Sequence, residues 1–385
     1  MAARLTPEEL LSTLVGFDTT SRLSNLDLID YVANYLSIFG IASTRIHNED
    51  KTKANLFATI GAAEAGGIVL SGHTDVVPVD GQDWQSPPFS LTERNGKLFG
   101  RGACDMKGFI ACVLAAVPDI VSAPLKRPIH LAFSYDEEVG CVGVGSMIEH
   151  IVRQRIKPSL CIVGEPTSMR VINAHKSINS FRTTVAGHSA HSSRTQEGVS
   201  AIFKAARLIT FLSEIDQEMR ARGDPSGRFD PPYTSLSVGL IEGGSAVNII
   251  PKECTFAWEY RALPGSDQNE IITRFRHYCD DEIVPEMRQR ASESGIITRD
   301  RSQAPGLFMP SDTPEESIVL GLAERNGTEA VSYATEGGLF QHAEIPTYVC
   351  GPGDIADAHK PDEFVLRSDL RMCERFLARL IHHLS

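Results

Sequence analysis

Three apolar segments of the sequence each end in side chains that can bind a metal ion. IVLSGHTD ends in His73 and Asp75, LAFSYDEE ends in Glu137 and Glu138, and LCIVGE ends in Glu165. Imidazole nitrogen and carboxylate oxygen are preferred zinc ligands, at about 2.0–2.2 Å in roughly four-coordinate sites. Acidic residues after a strand are more often solvated or cap the next helix, so no single segment is specific.

Two further candidates lie in loops. Asp105 is part of the glycine-rich stretch GRGACDMKG before an apolar helix, and His359 follows the strand-like TYVCG within PGDIADAHKPDE. Asp105 alone is equally well explained as a cap of that helix. All the candidates together supply two histidines and several carboxylates, a set that suits two zinc ions about 3.5–4 Å apart, which catalyse hydrolysis.

The order of predicted elements indicates how these residues meet. Strand-like runs lie near 41–46, 54–60, 67–71, 129–136, 159–166 and 346–350. They alternate with helical stretches, a pattern typical of a largely parallel sheet covered by helices on both faces. Because the carboxyl ends of parallel strands share one edge, where such folds bind ligands, we expect one cleft. Its carboxylates can all be ionised only if cations compensate them.

The pattern of predicted helices and strands changes near residue 178, and the first pattern returns near residue 299. Between these points the predicted order is βαββαβ, typical of an independent α+β domain of the ferredoxin-like type. The sequence therefore predicts an α/β catalytic, metal-binding domain over 1–177 and 299–385, with an inserted domain over 178–298.

Composition limits the classes of function. The chain has 385 residues, 42% of them hydrophobic and 22% charged, which is typical of a soluble globular protein of two or three domains. Its formal net charge of −12 argues against nucleic acid or an anionic membrane as partner. Without an apolar span or a signal-peptide pattern, we expect a cytoplasmic protein. The eight scattered cysteines indicate reduced, buried thiols.

In this order, and around an inserted domain, the motifs resemble the dinuclear zinc family of aminoacylases and carboxypeptidases over essentially the whole chain. The resemblance implies a zinc-peptidase-like catalytic domain that holds two zinc ions, for which cobalt can substitute. It implies that His73 and Glu165 complete one metal site, that Glu138 and His359 complete the other, and that Asp105 bridges them. It also implies a cis peptide bond after the bridging aspartate.

The same resemblance assigns two residues roles other than metal binding. Glu137 is implied as the general base that deprotonates a water between the metals, and as the acid that later protonates the leaving nitrogen. Asp75 is implied to accept the second imidazole N–H of His73 and so fix its tautomer.

In the inserted domain, GHSAHSS contains His188 and His191, and the spacing favours His191, with His188 as the alternative. The resemblance implies that this histidine stabilises the oxyanion in the partner subunit, and therefore a homodimer in which the inserted domain serves as lid and dimerisation domain. Asn248 and Arg261 are implied to contact the substrate carbonyl and carboxylate; ordinary polar positions on a β-hairpin are the alternative.

The glycine-rich ATEGGLFQ places Gly338 where backbone can approach a substrate, although a plain tight turn explains it equally well. Within the family, YATEGGLFQ followed by GPGDIADAHKPDEF most resembles members that hydrolyse N2-acetyl-L-ornithine to L-ornithine and acetate, in arginine biosynthesis. Glu336 and Asp354 are candidates for binding the substrate ammonium group.

Other functions stay open at this point. The substrate can be another N-acyl amino acid, such as N-succinyl-L,L-diaminopimelate, or the chain can be a dipeptidase or carboxypeptidase of the same family. A non-catalytic binding protein or a zinc store is disfavoured, because all five ligands and Glu137 are present.

Overall fold

The structure is a computed structural model that describes residues 4–61, 66–154 and 156–385. Residues 1–3, 62–65 and 155 of the predicted catalytic domain lie outside the described residues. The chain divides into two compact units. The first comprises Met1–Ala174, Leu307–Ala330 and Thr335–Ser385, and the second comprises His175–Gly306 and Val331–Ala334.

The strands, in chain order, are β1 Ser43–His47, β2 Ala54–Ile60, β3 Ile68–His73, β4 Thr92–Arg94, β5 Lys97–Phe99, β6 Ile129–Ser134, β7 Leu160–Pro166, β8 Val171–His175, β9 Ile178–Ala186, β10 Ser235–Gly243, β11 Glu253–Arg261, β12 Gly295–Ala304, β13 Leu307–Phe308, β14 Thr328–Val331, β15 Thr347–Gly351 and β16 Phe364–Leu366. The helices are α1 Pro7–Val15, α2 Leu26–Ile38, α3 Gly108–Ser122, α4 Val144–Arg153, α5 Ala201–Arg222, α6 Glu270–Tyr278, α7 Val284–Arg288, α8 Pro314–Ala323, α9 Gly337–His342 and α10 Arg367–Leu384. None of these described helices is both long and apolar enough to cross a membrane.

The first unit is built on a mixed sheet whose order in the described chain is β1-β2-β6-β3-β7-β15-β8-β13, with β14 paired to β8. Four neighbouring strands at its centre run parallel to one another, in the order β6-β3-β7-β15. Every residue of β3, β6 and β7 is buried, as expected of strands covered on both faces. The predicted α/β fold is confirmed.

Local sequence explains two helices that support this sheet. In α1, Thr6 and Glu9 form a capping box, in which each side chain accepts a hydrogen bond from the backbone of the other residue. Helix α3 is apolar on nearly every face, and accordingly ten of its fifteen residues are buried.

A small antiparallel sheet, ordered β16-β5-β4, was not predicted. Each of its strands has three residues, too few to show an alternating pattern. Its pairing of Phe364 with Phe99 joins distant parts of the chain. Only the folded chain reveals such a contact.

The second unit contains a four-stranded antiparallel sheet in the order β10-β11-β9-β12. With helices α5 and α6 between the strands, this is the βαββαβ topology predicted for the inserted domain. Burial alternates along β9 and β11, so one face of the sheet is packed, and Trp258, Phe256 and Phe275 lie in its core.

Candidate metal centre

Parallel strands place most of the candidate ligands at one edge of the first unit's sheet. His73 is the last residue of β3, and Glu165 is the second-last residue of β7. Glu137 and Glu138 lie in the turn that follows β6, and His359 lies in the loop that follows β15. The order of strands in the sheet thereby brings residues from four chain segments to one place.

The carboxylate of Asp105 lies between the two candidate histidines. Its Oδ1 is 2.9 Å from Nε2 of His73, and its Oδ2 is 3.2 Å from Nε2 of His359. One carboxylate thus presents one oxygen to each imidazole. This is the arrangement that a ligand shared by two metal ions requires.

Each histidine also faces a second carboxylate. Nε2 of His73 lies 3.7 Å from Oε1 of Glu165, and Nε2 of His359 lies 3.0 Å from Oε2 of Glu138. Two sets of potential ligands result, one around His73 and one around His359, and Asp105 belongs to both.

The electrostatics of the cluster are those of crowded, buried carboxyl groups. Burial, followed by the negative charge of neighbouring carboxylates, raises the pKa of Glu138 and Glu165. Burial alone would lower the pKa of His73, but the charges of Glu165 and Asp105 raise it well above its usual value. Positive charge is therefore strongly favoured at this point of the protein.

The donor set fits metal ions. Oε1 of Glu165 is buried and has no hydrogen-bond partner among the described residues. Ligand atoms of His73, Asp105 and Glu138 lie within 4.8 Å of one another, and so do those of His73, Glu137 and Glu165. A buried, unpartnered carboxylate oxygen facing imidazole nitrogen is costly without a cation and well suited to one.

The prediction for Asp75 needs a correction. Nδ1 of His73 forms its hydrogen bond with the backbone oxygen of Asp75 at 2.9 Å, whereas the nearest carboxylate oxygen is 3.7 Å away. The carboxylate instead accepts the backbone N–H groups of Glu137 and Glu138, at 3.1 and 3.3 Å, and the hydroxyl of Ser21 at 2.7 Å. These three donors turn it away from the imidazole, so Asp75 fixes the backbone of the Glu137–Glu138 turn.

Glu137 has a partner that the sequence did not reveal. The thiol of Cys141 lies 3.2 Å from Oε1 of Glu137 and donates to it, and the backbone N–H of Cys141 donates to the Glu137 carbonyl at 2.8 Å. Burial, reinforced by the charge of Glu137, raises the pKa of Cys141 well above its usual value, so the group stays a thiol. All eight cysteines are buried and unpaired, which agrees with the prediction of reduced thiols.

The loop that carries Asp105 has unusual backbone. The peptide bond between Asp105 and Met106 is cis, as the family resemblance implied. Gly102, three residues earlier, has φ +78°, and a Cβ atom there would lie 2.6 Å from the Val76 side chain. Lys107, not Asp105, is the residue that precedes α3, so the alternative of a helix cap is wrong.

The glycine-rich stretch is not an isolated turn, since Gly338 is a buried residue in the first turn of α9. The preceding Glu336 is also buried, and it accepts hydrogen bonds from the hydroxyls of Ser71, at 3.2 Å, and Ser134. Each of its carboxylate oxygens therefore accepts one hydroxyl, and its role toward a substrate ammonium group stays a prediction. Asp354 caps its own turn by accepting the Ala356 N–H at 3.0 Å.

In the second unit, His191 and Asn248 are exposed and lie on adjacent segments. The N–H of Ser192 donates to the Asn248 carbonyl at 3.0 Å, and a β-bridge pairs His191 with Ile249. The ring of His188 faces the Glu293 carboxylate at 2.6 Å. The ring of His191 is also engaged, since its Nδ1 lies 2.8 Å from the Ser193 hydroxyl, and the choice of His191 over His188 stays a prediction.

Arg261 is the last residue of β11 and lies in the second unit, as does His191. Its Nε donates to the Glu259 carboxylate at 3.2 Å. Its side chain is 30% exposed. It therefore keeps donors that can bind a carboxylate.

Comparison with known proteins places the chain in a family. Residues 69–383 match the model of peptidase family M20/M25/M40. An acetylornithine deacetylase from Myxococcus xanthus is 35% identical over 381 residues, which cover 97% of this chain and 96% of that protein. An acetylornithine deacetylase from Pasteurella multocida is 33% identical over 380 residues, which cover 97% of this chain and 96% of that protein. The chain belongs to peptidase family M20/M25/M40, and the predicted family is confirmed.

Solved structures show the same fold at low sequence identity. An M20-family metallo-carboxypeptidase from Sulfolobus solfataricus aligns with a TM-score of 0.76 at 16% identity, covering 96% of this chain and 97% of that chain. A Bacillus subtilis peptidase described as dinuclear and metal-binding aligns with a TM-score of 0.64 at 14% identity, covering 98% of each. At these identities the likeness establishes the fold alone.

Proposed function

We propose that this protein is a zinc-dependent amidohydrolase that converts N2-acetyl-L-ornithine to L-ornithine and acetate, in arginine biosynthesis. The class of metal-dependent amidohydrolase follows from the family and from the deacetylase relatives. The observation that carries the proposal is the carboxylate of Asp105, which presents one oxygen to His73 and the other to His359.

In this proposal, His73 and Glu165 would hold one zinc ion and Glu138 and His359 would hold the other, with Asp105 offering one carboxylate oxygen to each set. The pairing of His73 with Glu165 and of His359 with Glu138 follows the shortest approaches of each histidine's Nε2 to a carboxylate other than that of Asp105. Bound zinc would polarise the acyl carbonyl and lower the pKa of water. Imidazole and carboxylate ligands also accept cobalt, which can substitute for zinc.

Glu137 acts as general base and acid. It lies beside the ligand Glu138, and burial raises its pKa well above that of an ordinary glutamate. Its carboxylate takes a proton from the attacking water and returns it to the amine nitrogen as the amide C–N bond breaks. Asp75 supports this step, because its carboxylate holds the backbone N–H groups of Glu137 and Glu138.

The substrate contacts are proposed on the second unit. Arg261 would pair with the α-carboxylate, Asn248 would donate to the acyl carbonyl, and His191 would stabilise the oxyanion from the partner subunit of a homodimer. Gly338 is kept as a candidate for backbone contact with the substrate. A cytoplasmic location remains a prediction.

A homodimer is supported by the surface of the second unit. Strand β10 lies at the edge of its sheet, and Leu240 and Ile241 on it are 69% and 58% exposed. Phe203, near the start of α5, is 74% exposed. Apolar side chains on an open edge strand favour association with a second chain. Leu240→Arg should convert a dimer to a monomer in light scattering after gel filtration, and a wild-type monomer would contradict the proposal.

The proposed reaction is tested by a turnover assay of the zinc-loaded protein on N2-acetyl-L-ornithine, N-succinyl-L,L-diaminopimelate and N-acetyl-L-methionine, with and without a chelator. We expect chelator-sensitive preference for acetylornithine. Preference for another substrate would overturn the substrate assignment while leaving the metal chemistry in place. Activity that survives complete metal removal would overturn the mechanism.

A further inference from the structure

One connected set of hydrogen bonds in the first unit joins two candidate ligands that are distant in sequence. It begins at Glu363, a fully buried glutamate four residues after His359. Oε1 of Glu363 accepts the backbone N–H groups of Cys104 at 3.0 Å and Asp105 at 3.1 Å. The position of the Asp105 backbone is therefore set by this carboxylate.

The second member is Arg101, which is also fully buried. Its Nη1 lies 2.5 Å from Oε2 of Glu363, and its Nη2 lies 2.5 Å from Oε1 of Gln82. The indole N–H of Trp84 donates to the same Gln82 oxygen at 3.0 Å. A buried arginine whose two terminal nitrogens each donate to a side-chain oxygen holds both of these partners in fixed positions.

The third member, Gln82, completes the connection to the other ligand. Its Nε2 donates to the backbone oxygen of His359 at 3.2 Å. His359 has φ +62°, a left-handed conformation that costs energy for a residue other than glycine and needs support from its surroundings. The amide of Gln82 supplies such support.

The two halves of the centre differ in how their histidines are held. His73 lies within β3, whose backbone pairs with β6 and β7 on either side. His359 lies in a loop, and its link to Gln82 is a side-chain contact. Loss of one side-chain contact should therefore disturb the His359 half more than the His73 half.

We propose that Gln82, Arg101 and Glu363 are positioning residues that hold His359 and Asp105 at the separation one metal ion needs. Loss of the contact between Gln82 and His359 should then lower the affinity of the metal at His359 and Glu138 more than that of the metal at His73 and Glu165. This inference rests on the proposed dinuclear function. Hydrogen-bond partners of metal ligands typically contribute about 10-fold to 100-fold in metal affinity.

The test compares Gln82→Met with a matched control, Gln85→Met, in the same loop. Methionine keeps the length of the side chain and removes all three hydrogen bonds of the Gln82 amide, whereas the exposed Gln85 side chain serves as the control position. Zinc content is measured by atomic emission after equilibration with a series of chelator concentrations, and cobalt absorption spectra follow the occupancy of each position. We expect Gln82→Met to bind one of its two metals about tenfold more weakly, with Gln85→Met unchanged.

A second variant, Gln82→Glu, can still accept from Arg101 and Trp84 but cannot donate to the His359 carbonyl, and it should show the same selective loss. If Gln82→Met does not fold, Gln82→Glu takes its place in the test. Wild-type affinity for both metals in these variants, or equal weakening of both, would overturn the inference. A wild-type protein that binds no second zinc ion would instead overturn the dinuclear function itself.

Discussion

His73 and His175 are both buried, yet their surroundings shift the imidazole pKa in opposite directions. At His73 the carboxylates of Glu165 and Asp105 outweigh burial and raise the pKa. At His175, the first residue of the second unit, burial is the largest effect and lowers the pKa to about 4. The first unit therefore concentrates buried charge at one place, whereas this position in the second unit excludes it.

The candidate functional residues differ in the same way. The side chains of the first unit's ligands other than His359 are at most 6% exposed, and their geometry is set by strands and by hydrogen bonds within the unit. In the second unit His191 and Asn248 are exposed, and Arg261 is partly exposed. A buried cluster has its chemistry fixed by the fold of its own unit, while exposed residues need a substrate or a second chain to complete their contacts.

The largest expected effect is that of Glu137→Gln. This variant tests whether Glu137 transfers a proton or binds a metal ion. Gln cannot take the proton from water, so kcat should fall roughly a thousandfold or more while zinc content stays at wild-type level. Turnover and atomic emission on the same samples measure both. Glu138→Gln is the matched control and should lose metal. Loss of zinc from Glu137→Gln would make Glu137 a ligand.

The next largest effect tests whether an exposed residue of the second unit takes part in the reaction. His191→Ala should lower kcat by about a hundredfold, the usual effect of removing an oxyanion donor. His188→Ala should change kcat little, because that ring faces Glu293. Steady-state kinetics of both variants decide the matter, and a larger loss in His188→Ala would reverse the assignment.

His175 predicts a dependence of stability on pH. Its pKa is about 4 in the folded chain and about 6.5 when unfolded, so the unfolded chain binds more protons between these values. The free energy of unfolding should therefore fall by about 3 kcal/mol as the pH drops from 7 to 4. Denaturant unfolding of His175→Leu should lose this part of the pH dependence. The exposed His277→Leu should keep it, and equal slopes in both variants would contradict the prediction.

The smallest effect concerns the thiol beside Glu137. Cys141→Ala removes the donor to the Glu137 carboxylate and should lower kcat by roughly threefold to tenfold, since a single such hydrogen bond contributes about 1 kcal/mol. Cys141→Ser restores a donor and should recover most of the rate. Unchanged kcat in the alanine variant, at equal zinc content, would show that the thiol only fills space.

The outcome for particular residues shows what the sequence could predict. His73, Glu137 and Glu138, and Glu165 each follow an apolar strand, and the alternation of strands and helices indicates that such strand ends share an edge. The ferredoxin-like order of the second unit was equally predictable from its βαββαβ pattern. The orientation of Asp75 was not, because its carboxylate has three competing donors that only the folded chain brings near.

What the sequence determined by itself is the set of residue types and the periodicity that builds the sheet, because both are local properties of the chain. The tertiary structure decided which atoms meet. Gln82 contacts a residue 277 positions away, and Glu363 contacts the backbone of a residue 258 positions away. No local pattern encodes such contacts, since they depend on how separate segments pack once the sheet has formed.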